Sequence, residues 1–265
     1  RRALWEGLRV GRTRESFGQP VREHPLYRRD LLELTCEVEG ALAFVLDTAD
    51  TIDRWASGDE AARPVLRMLT PLAKAVTGKL AVSATSRGCE FLGGNGYIED
   101  YVTPRLLRDA QVLPIWEGTT NIQCLDMLRA VSKEDALPAF LSHVRTHLEA
   151  GEGAKGATEA VKLVEQSISD LAGTARDLQE ASPKLAQARA RDVVWQAFHT
   201  HAAALLIRRV TVAEDPERAS TLAELYARLF VGDDRHRGQA LLAELAADGP
   251  TSLFDPGAPA DGSDA

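Results

Sequence analysis

Two short stretches of this chain set chemically capable residues beside conformational breakers. In residues 88–96, Gly93, Gly94 and Gly96 make a turn with no side chain to hold off a group approaching the backbone. The second is Trp116-Glu117-Gly118, a tight turn before a helical run that Thr119 or Thr120 would cap. The mouth of such a helix offers free N–H groups and the positive end of its dipole, which suit a phosphate or a polarised oxygen. Glu117 stands at that mouth and is a candidate base. Taken alone, a glutamate more often reads as a solvated surface residue, and a glycine turn after a helix as a C-cap. Gly94-Asn95-Gly96 is no dinucleotide fingerprint, because a helix and not a strand precedes it. His143 and His147 have the i, i+4 spacing that can hold a metal, but no neighbouring Glu or third ligand completes the set. His199 and His201 point to different helix faces, so no metal site is expected.

The elements that must carry these turns are helical. Residues 1–16 form a charged amphipathic segment. Pro25, placed as a first-turn proline, opens a helix to about Ser57, with Leu31, Leu34, Val38, Leu42 and Val45 at spacings of three and four. A third helix runs from about Asp59 to Phe91 and stops at the glycine turn. Pro104 begins a short helix to about Gln111, and Ile122, Leu125, Leu128 and Val131 share one face of the next. Residues 134–250 read as four or five more helices. No strand or repeat is predicted.

Composition excludes several classes. Hydrophobic residues make up 45% and charged residues 26%, a globular mix. Residues 1–133 carry equal numbers of basic and acidic side chains, so the net charge of −8 falls entirely on the remainder. That half is poor ground for a phosphate-backbone binder. Arg189, Arg191, Arg208 and Arg209 form a local basic run that reads as a solvated face. Cys36, Cys89 and Cys124 lie far apart, as reduced core thiols do. There is neither an apolar leader nor a run long enough to span a membrane, and a cytoplasmic location is expected. The chain starts at Arg1-Arg2 inside a helix, which reads as the middle of a longer protein.

Residues 88–131 resemble the acyl-CoA dehydrogenase C-terminal signature: Gly93-Gly94-Asn95-Gly96-Tyr97, then Arg105-Leu106-Leu107-Arg108-Asp109-Ala110, then Trp116-Glu117-Gly118-Thr119. Arg14-Glu15-Ser16-Phe17-Gly18-Gln19-Pro20 resembles an upstream motif of the same family. The helical periods and the resemblance together imply an all-α fold: the family's helical bundle over residues 1–133 and an additional helical domain over 134–248, while the Pro, Gly, Asp and Ser content of 249–265 reads as a disordered tail. It implies FAD as cofactor and an acyl-CoA substrate, with Glu117 as the base that takes the α-proton while the β-hydrogen leaves as hydride to N5 of FAD. Such a site must stabilise the developing enolate oxygen with preorganised donors and desolvate its base. The resemblance places Trp116 and Gly118 beside the substrate. It places Arg14 on the pyrophosphate of a neighbouring subunit's FAD, flanked by Ser16 and Phe17, since arginine makes charge-assisted bonds to phosphate. Gly93 and Gly94 would approach the adenine half, and Thr119 and Asn121 the flavin side. Asn121 replaces a common Gln. Arg108 and Asp109 are expected to brace the two turns. The family's implied partners are further copies of the chain, as a dimer or tetramer, and electron-transferring flavoprotein. The isolated chain is expected to bind FAD weakly and to be inactive. The wording around Glu117 and the helical extension resemble the AidB-like branch, for which DNA is a partner that the acidic extension disfavours. Two other readings remain open: a nucleic-acid-protective flavoprotein, and a non-catalytic partner subunit.

Overall fold

The computed structural model describes residues 1–232 and 235–255. Ten α-helices account for most of the described chain: α1 (Arg2–Thr13), α2 (Pro25–Ala56), α3 (Ala62–Leu92), α4 (Thr103–Gln111), α5 (Thr120–Lys133), α6 (Ala136–Ala150), α7 (Thr158–Glu180), α8 (Pro183–Val210), α9 (Pro216–Phe230) and α10 (Arg235–Asp248). The expected all-α class holds. The predicted starts at Pro25 and around Pro104 fall within a residue of the observed ones, because each proline has no N–H to lose in a first turn. The prediction of no strand misses one detail. Glu15–Ser16 (β1) and Gln19–Pro20 (β2) pair antiparallel, with Phe17 and Gly18 at positive φ between them.

α2 and α3 are the axis of the molecule. Leu31, Leu34 and Phe44 on α2 and Met68, Leu69, Leu72 and Val76 on α3 are fully buried. α3 carries α1, α4, α5 and α6 along its length, and α8 packs on α2, α5, α6, α7 and α9. One hydrophobic cluster runs without interruption from Leu31 on α2 through Phe140 on α6 and Phe198 on α8 to Phe254. No break in packing accompanies the expected boundary at 133/134, because the apolar faces of α6 and α8 are buried against α2 and α3. The tail also departs from expectation. Thr251–Leu253 form a 3-10 turn, and Leu253, Phe254 and Asp255 are buried. Arg12 donates to both Asp255 carboxylate oxygens, and Arg28 donates to Gly249 O and lies over the Phe254 ring. Those cationic anchors lie on α1 and α2, too distant in sequence for the tail's composition to reveal them. Residues 256–265 lie outside the described residues.

Close packing of α9 on α2 depends on Gly40, where a Cβ would stand 2.4 Å from the Tyr226 ring. Gly40→Ala is therefore expected to lower the thermal midpoint, overpacking of about 1–3 kcal/mol outweighing a helix-propensity gain of ~1 kcal/mol. Gly173→Ala on α7, where no atom would meet the added Cβ, is expected to raise it. Circular-dichroism melts of the two variants check the contrast.

Candidate active site

Glu117 lies in the loop between α4 and α5, and α3 holds that loop. Gly78 lets the loop backbone lie directly on α3: a Cβ there would stand 3.3 Å from Leu113 O. One turn earlier, Lys74 Nζ donates to Leu113 O at 2.5 Å and to Gly118 O at 3.3 Å. The loop is thus tied on both sides of Glu117. Gln123 Nε2 donates to Glu117 O at 3.3 Å. Glu117 itself has φ 52, a left-handed conformation that costs a side-chain-bearing residue roughly 1–2 kcal/mol. Gly118 follows at φ 99.

The start of α5 is open. Thr119 takes the N-cap position but makes no side-chain cap bond, so the first N–H groups of the helix are uncapped. Among the described residues the Glu117 N–H also meets no backbone acceptor. Thr120 Oγ1 is buried without a partner. Arg67 on α3 anchors the helix, with paired bonds to Asp126 at 3.1 and 2.9 Å and to Glu134 at 2.7 and 3.2 Å. Ile115, Trp116 and Ile122 stand 61%, 56% and 53% exposed around Glu117, leaving an uncovered apolar rim beside an exposed carboxylate.

The second constellation forms at the far end of α3. Arg14 Nη1 donates to Leu92 O at 3.2 Å, and a Cβ on Gly93 would meet the same nitrogen at 3.3 Å. The Arg14 motif and the glycine turn, far apart in sequence, are therefore in contact. Gly93 has φ 60 and Gly94 is open on its outer side. No carboxylate among the described residues pairs with Arg14. Ser16 Oγ lies 3.1 Å from His24 Nε2, and Phe17 projects fully into solvent at the hairpin tip. Lys74 and Leu92 are separated by about 27 Å along α3 at 1.5 Å rise per residue, so the Glu117 and Arg14 groups do not share one pocket.

Several residues have partners that the sequence does not announce. Asn121 Oδ1 accepts from Arg191 of α8 at 2.6 Å. Arg209 pairs with Glu39, and Arg208 donates to His147 Nδ1 at 2.9 Å, so most of the basic run is engaged within the fold. Arg108 braces the stretch after the glycine turn through Glu99, at 2.7 and 3.0 Å. Among the described residues Asp109 makes no brace between the turns and pairs only with Arg105 on its own helix, at 3.6 Å. His143 and His147 do find the companions that neighbouring sequence lacks. Asp47 of α2 and His201 of α8 meet them in the interior, and the search along one helix missed both because they come from other helices. Burial alone would raise the Asp47 carboxyl, but hydrogen bonds from the three imidazoles hold it well below the usual carboxylate range. Burial, opposed by Asp47, pushes His201 down to about 4.

Comparison with known proteins places these motifs. Residues 1–132 match the family described as acyl-CoA dehydrogenase, C-terminal domain. Acyl-CoA dehydrogenase family member 11 of Caenorhabditis elegans is 35% identical over 198 residues, covering 72% of this chain and 32% of that protein. Putative acyl-CoA dehydrogenase AidB of Escherichia coli is 32% identical over 201 residues, covering 71% of this chain and 37% of that protein. The chain therefore matches about a third of the length of these relatives. The crystal structure of C. elegans ACDH-11 in complex with C11-CoA superposes with a TM-score of 0.81 at 28% identity, over 94% of this chain and 44% of that one, so the match extends through the helical extension. With both signature turns in place on α3 and the family domain matched over residues 1–132, this chain belongs to the acyl-CoA dehydrogenase family.

Proposed function

We propose that this chain is the flavin-side part of an FAD-dependent acyl-CoA dehydrogenase, in which Glu117 removes the α-proton of an acyl-CoA thioester. The observation that carries the reading is the Glu117 loop. A carboxylate is held in a left-handed conformation, tied on both flanks by Lys74, at the mouth of an uncapped helix. Conformational strain of this kind persists where the surroundings over-determine it, as at catalytic positions.

The chemistry follows from these parts. The α-proton of a thioester is a weak acid, and its removal needs stabilisation of charge on the thioester oxygen. The Glu117 N–H and the first turn of α5 supply donors that need no rearrangement. Gly118, at φ 99, supplies the turn that would set its backbone beside the thioester, and the Trp116 indole would give the acyl chain an apolar wall. Glu117 is exposed in this chain, so the water exclusion that makes a carboxylate an adequate base comes from the substrate and from an adjoining domain seated on Ile115, Trp116 and Ile122. FAD fits the remaining features: an arginine without a carboxylate partner beside bare glycine backbone, and an open helix N-terminus. Arg14 would hold the pyrophosphate, with Ser16, Phe17, Gly93 and Gly94 around it, and Thr119 and Asn121 would line the flavin side. Bound FAD supplies the acceptor for the β-hydrogen, which leaves as hydride. The separation of about 27 Å along α3 suits a cofactor shared between subunits, each chain giving Arg14 to one FAD and Glu117 to another. The working protein is then at least a dimer, with electron-transferring flavoprotein as a candidate acceptor. The partnered arginines of α8 and the acidic extension favour neither DNA binding nor a nucleic-acid-protective role.

Three variants of the full-length protein that carries this chain test the assignment. Glu117→Gln is expected to retain FAD and to slow flavin bleaching by acyl-CoA about 10²–10⁴-fold. Bleaching at the native rate would sink the role of Glu117. Lys74→Met, which frees the loop without touching the carboxylate, is expected to lower the bleaching rate while FAD content stays unchanged. Arg14→Ala is expected to lose FAD on gel filtration, read from the flavin-to-protein absorbance ratio.

A further inference from the structure

The interior holds a second constellation that the dehydrogenase chemistry does not use. Asp47 of α2 stands at its centre. Its Oδ2 lies 2.9 Å from His143 Nε2 of α6 and 2.8 Å from His201 Nε2 of α8, and its Oδ1 lies 2.9 Å from His147 Nε2 of α6. His143 and His147 Nε2 are 3.2 Å apart. His201 is fully buried, and Asp47, His143 and His147 are about nine-tenths buried or more. Phe44 and Phe140 meet the His201 ring edge-on, and Phe198 stacks on Phe44, so the walls are apolar.

Proton inventory separates the three imidazoles. Arg208 Nη1 can only donate, so the His147 Nδ1 it meets at 2.9 Å carries a lone pair. Neutral His147 then has its proton on Nε2 and gives it to Asp47 Oδ1. His143 and His201 remain, both aiming Nε2 at the other oxygen. His143 Nε2 and His147 Nε2 stand side by side at 3.2 Å on the same carboxylate. Asp47 Oδ2, His143 Nε2 and His201 Nε2 converge so that one cation could take a lone pair from each. These three ligand atoms lie within 4.8 Å of one another.

We propose that Asp47, His143 and His201 bind one divalent transition-metal ion of the zinc class, and that the ion staples α2, α6 and α8 together. Two imidazoles and a carboxylate are the donor set that zinc and its first-row neighbours take, whereas magnesium and calcium prefer all-oxygen sites. The two edges that meet at Asp47, at 2.9 and 2.8 Å, need to open by only a few tenths of an ångström to match those of a tetrahedral site, ~3.3 Å for ligand bonds near 2.0 Å, and the third edge, between the two imidazoles, is at most 4.8 Å. His147 acts from outside the ligand set: it orients the carboxylate through Oδ1, and Arg208 fixes its tautomer. The ligand side chains are nine-tenths buried or more, so the role proposed for the ion is structural. The ion would join the family domain to the helical extension, whose faces already share one core.

The test uses the chain produced without a polyhistidine tag, treated with chelator and titrated with Zn2+ at neutral pH. Metal content after gel filtration is the first readout, and the visible spectrum with Co2+ in place of Zn2+ is the second. One equivalent of Zn2+, a rise in thermal midpoint on its addition, and intense Co2+ bands of low coordination number are expected. Asp47→Asn, His143→Gln and His201→Gln are each expected to abolish stoichiometric uptake. His199→Gln, a buried histidine outside the cluster, and Arg208→Met are expected to retain it. Far-ultraviolet circular dichroism identifies any variant that fails to fold, and the native Co2+ spectrum stands without the variants. Uptake well below one equivalent by the native chain would overturn the proposal in favour of a hydrogen-bonded network alone. Stoichiometric uptake that survives in folded His143→Gln and His201→Gln would overturn it in favour of surface binding. None of these readouts depends on FAD or on Glu117.

Discussion

Lys74 shares its ammonium between two carbonyl oxygens, one on each side of Glu117, and this interaction organises the candidate active site. It acts only because Gly78, one turn along α3, admits the loop backbone to van der Waals distance. The loop then delivers Glu117 in a left-handed conformation to the open end of α5, and Arg67 fixes α5 against the same helix through Asp126 and Glu134. α3 is therefore the bench on which the loop, the following helix and, at its other end, the glycine turn are all mounted. Its rigidity comes from burial of Met68, Leu69, Leu72 and Val76 against α2 and the helices beyond.

The two ends of α3 answer to different physics. At the Glu117 end the exposed groups are apolar and the backbone presents donors, which suits a thioester that must be desolvated. At the Arg14 end the backbone is bare and the side chain is cationic, which suits a phosphate. On the proposed reading, a single helix separates the part that would move a proton from the part that would anchor a cofactor. The exposure of Trp116 and Ile115 is intelligible on that view, since an apolar rim around a base has no purpose until something covers it.

Much of this was legible in the sequence. Pro25, the glycines at 93–96 and Pro104 punctuate the chain where helices start or stop, because each changes what the backbone can do locally. Glu117, Gly118 and Thr119 could be recognised as a unit because the unit is contiguous. What stayed hidden depends on contacts between helices. Nothing near Lys74 or Gly78 announces a loop forty residues onward. Periodicity along α6 shows His143 and His147 on one face but not that Asp47 and His201 will cover it. The family resemblance suggested a boundary at 133/134, yet α6 and α8 complete the core begun by α2 and α3. The stretch ending at Asp255 reads as polar tail and is held by arginines of α1 and α2.

The proton abstraction proposed for Glu117 is best isolated from the redox step. An acyl-CoA with α-hydrogens but no β-hydrogen cannot lose hydride, so only proton transfer remains to be seen. Incubated in D2O with the full-length protein and followed by NMR, its α-position is predicted to exchange for deuterium with the native enzyme and to stay protonated with Glu117→Gln. Exchange that persists undiminished in the variant would contradict the account, and so would its absence from a native protein that holds FAD and binds the thioester.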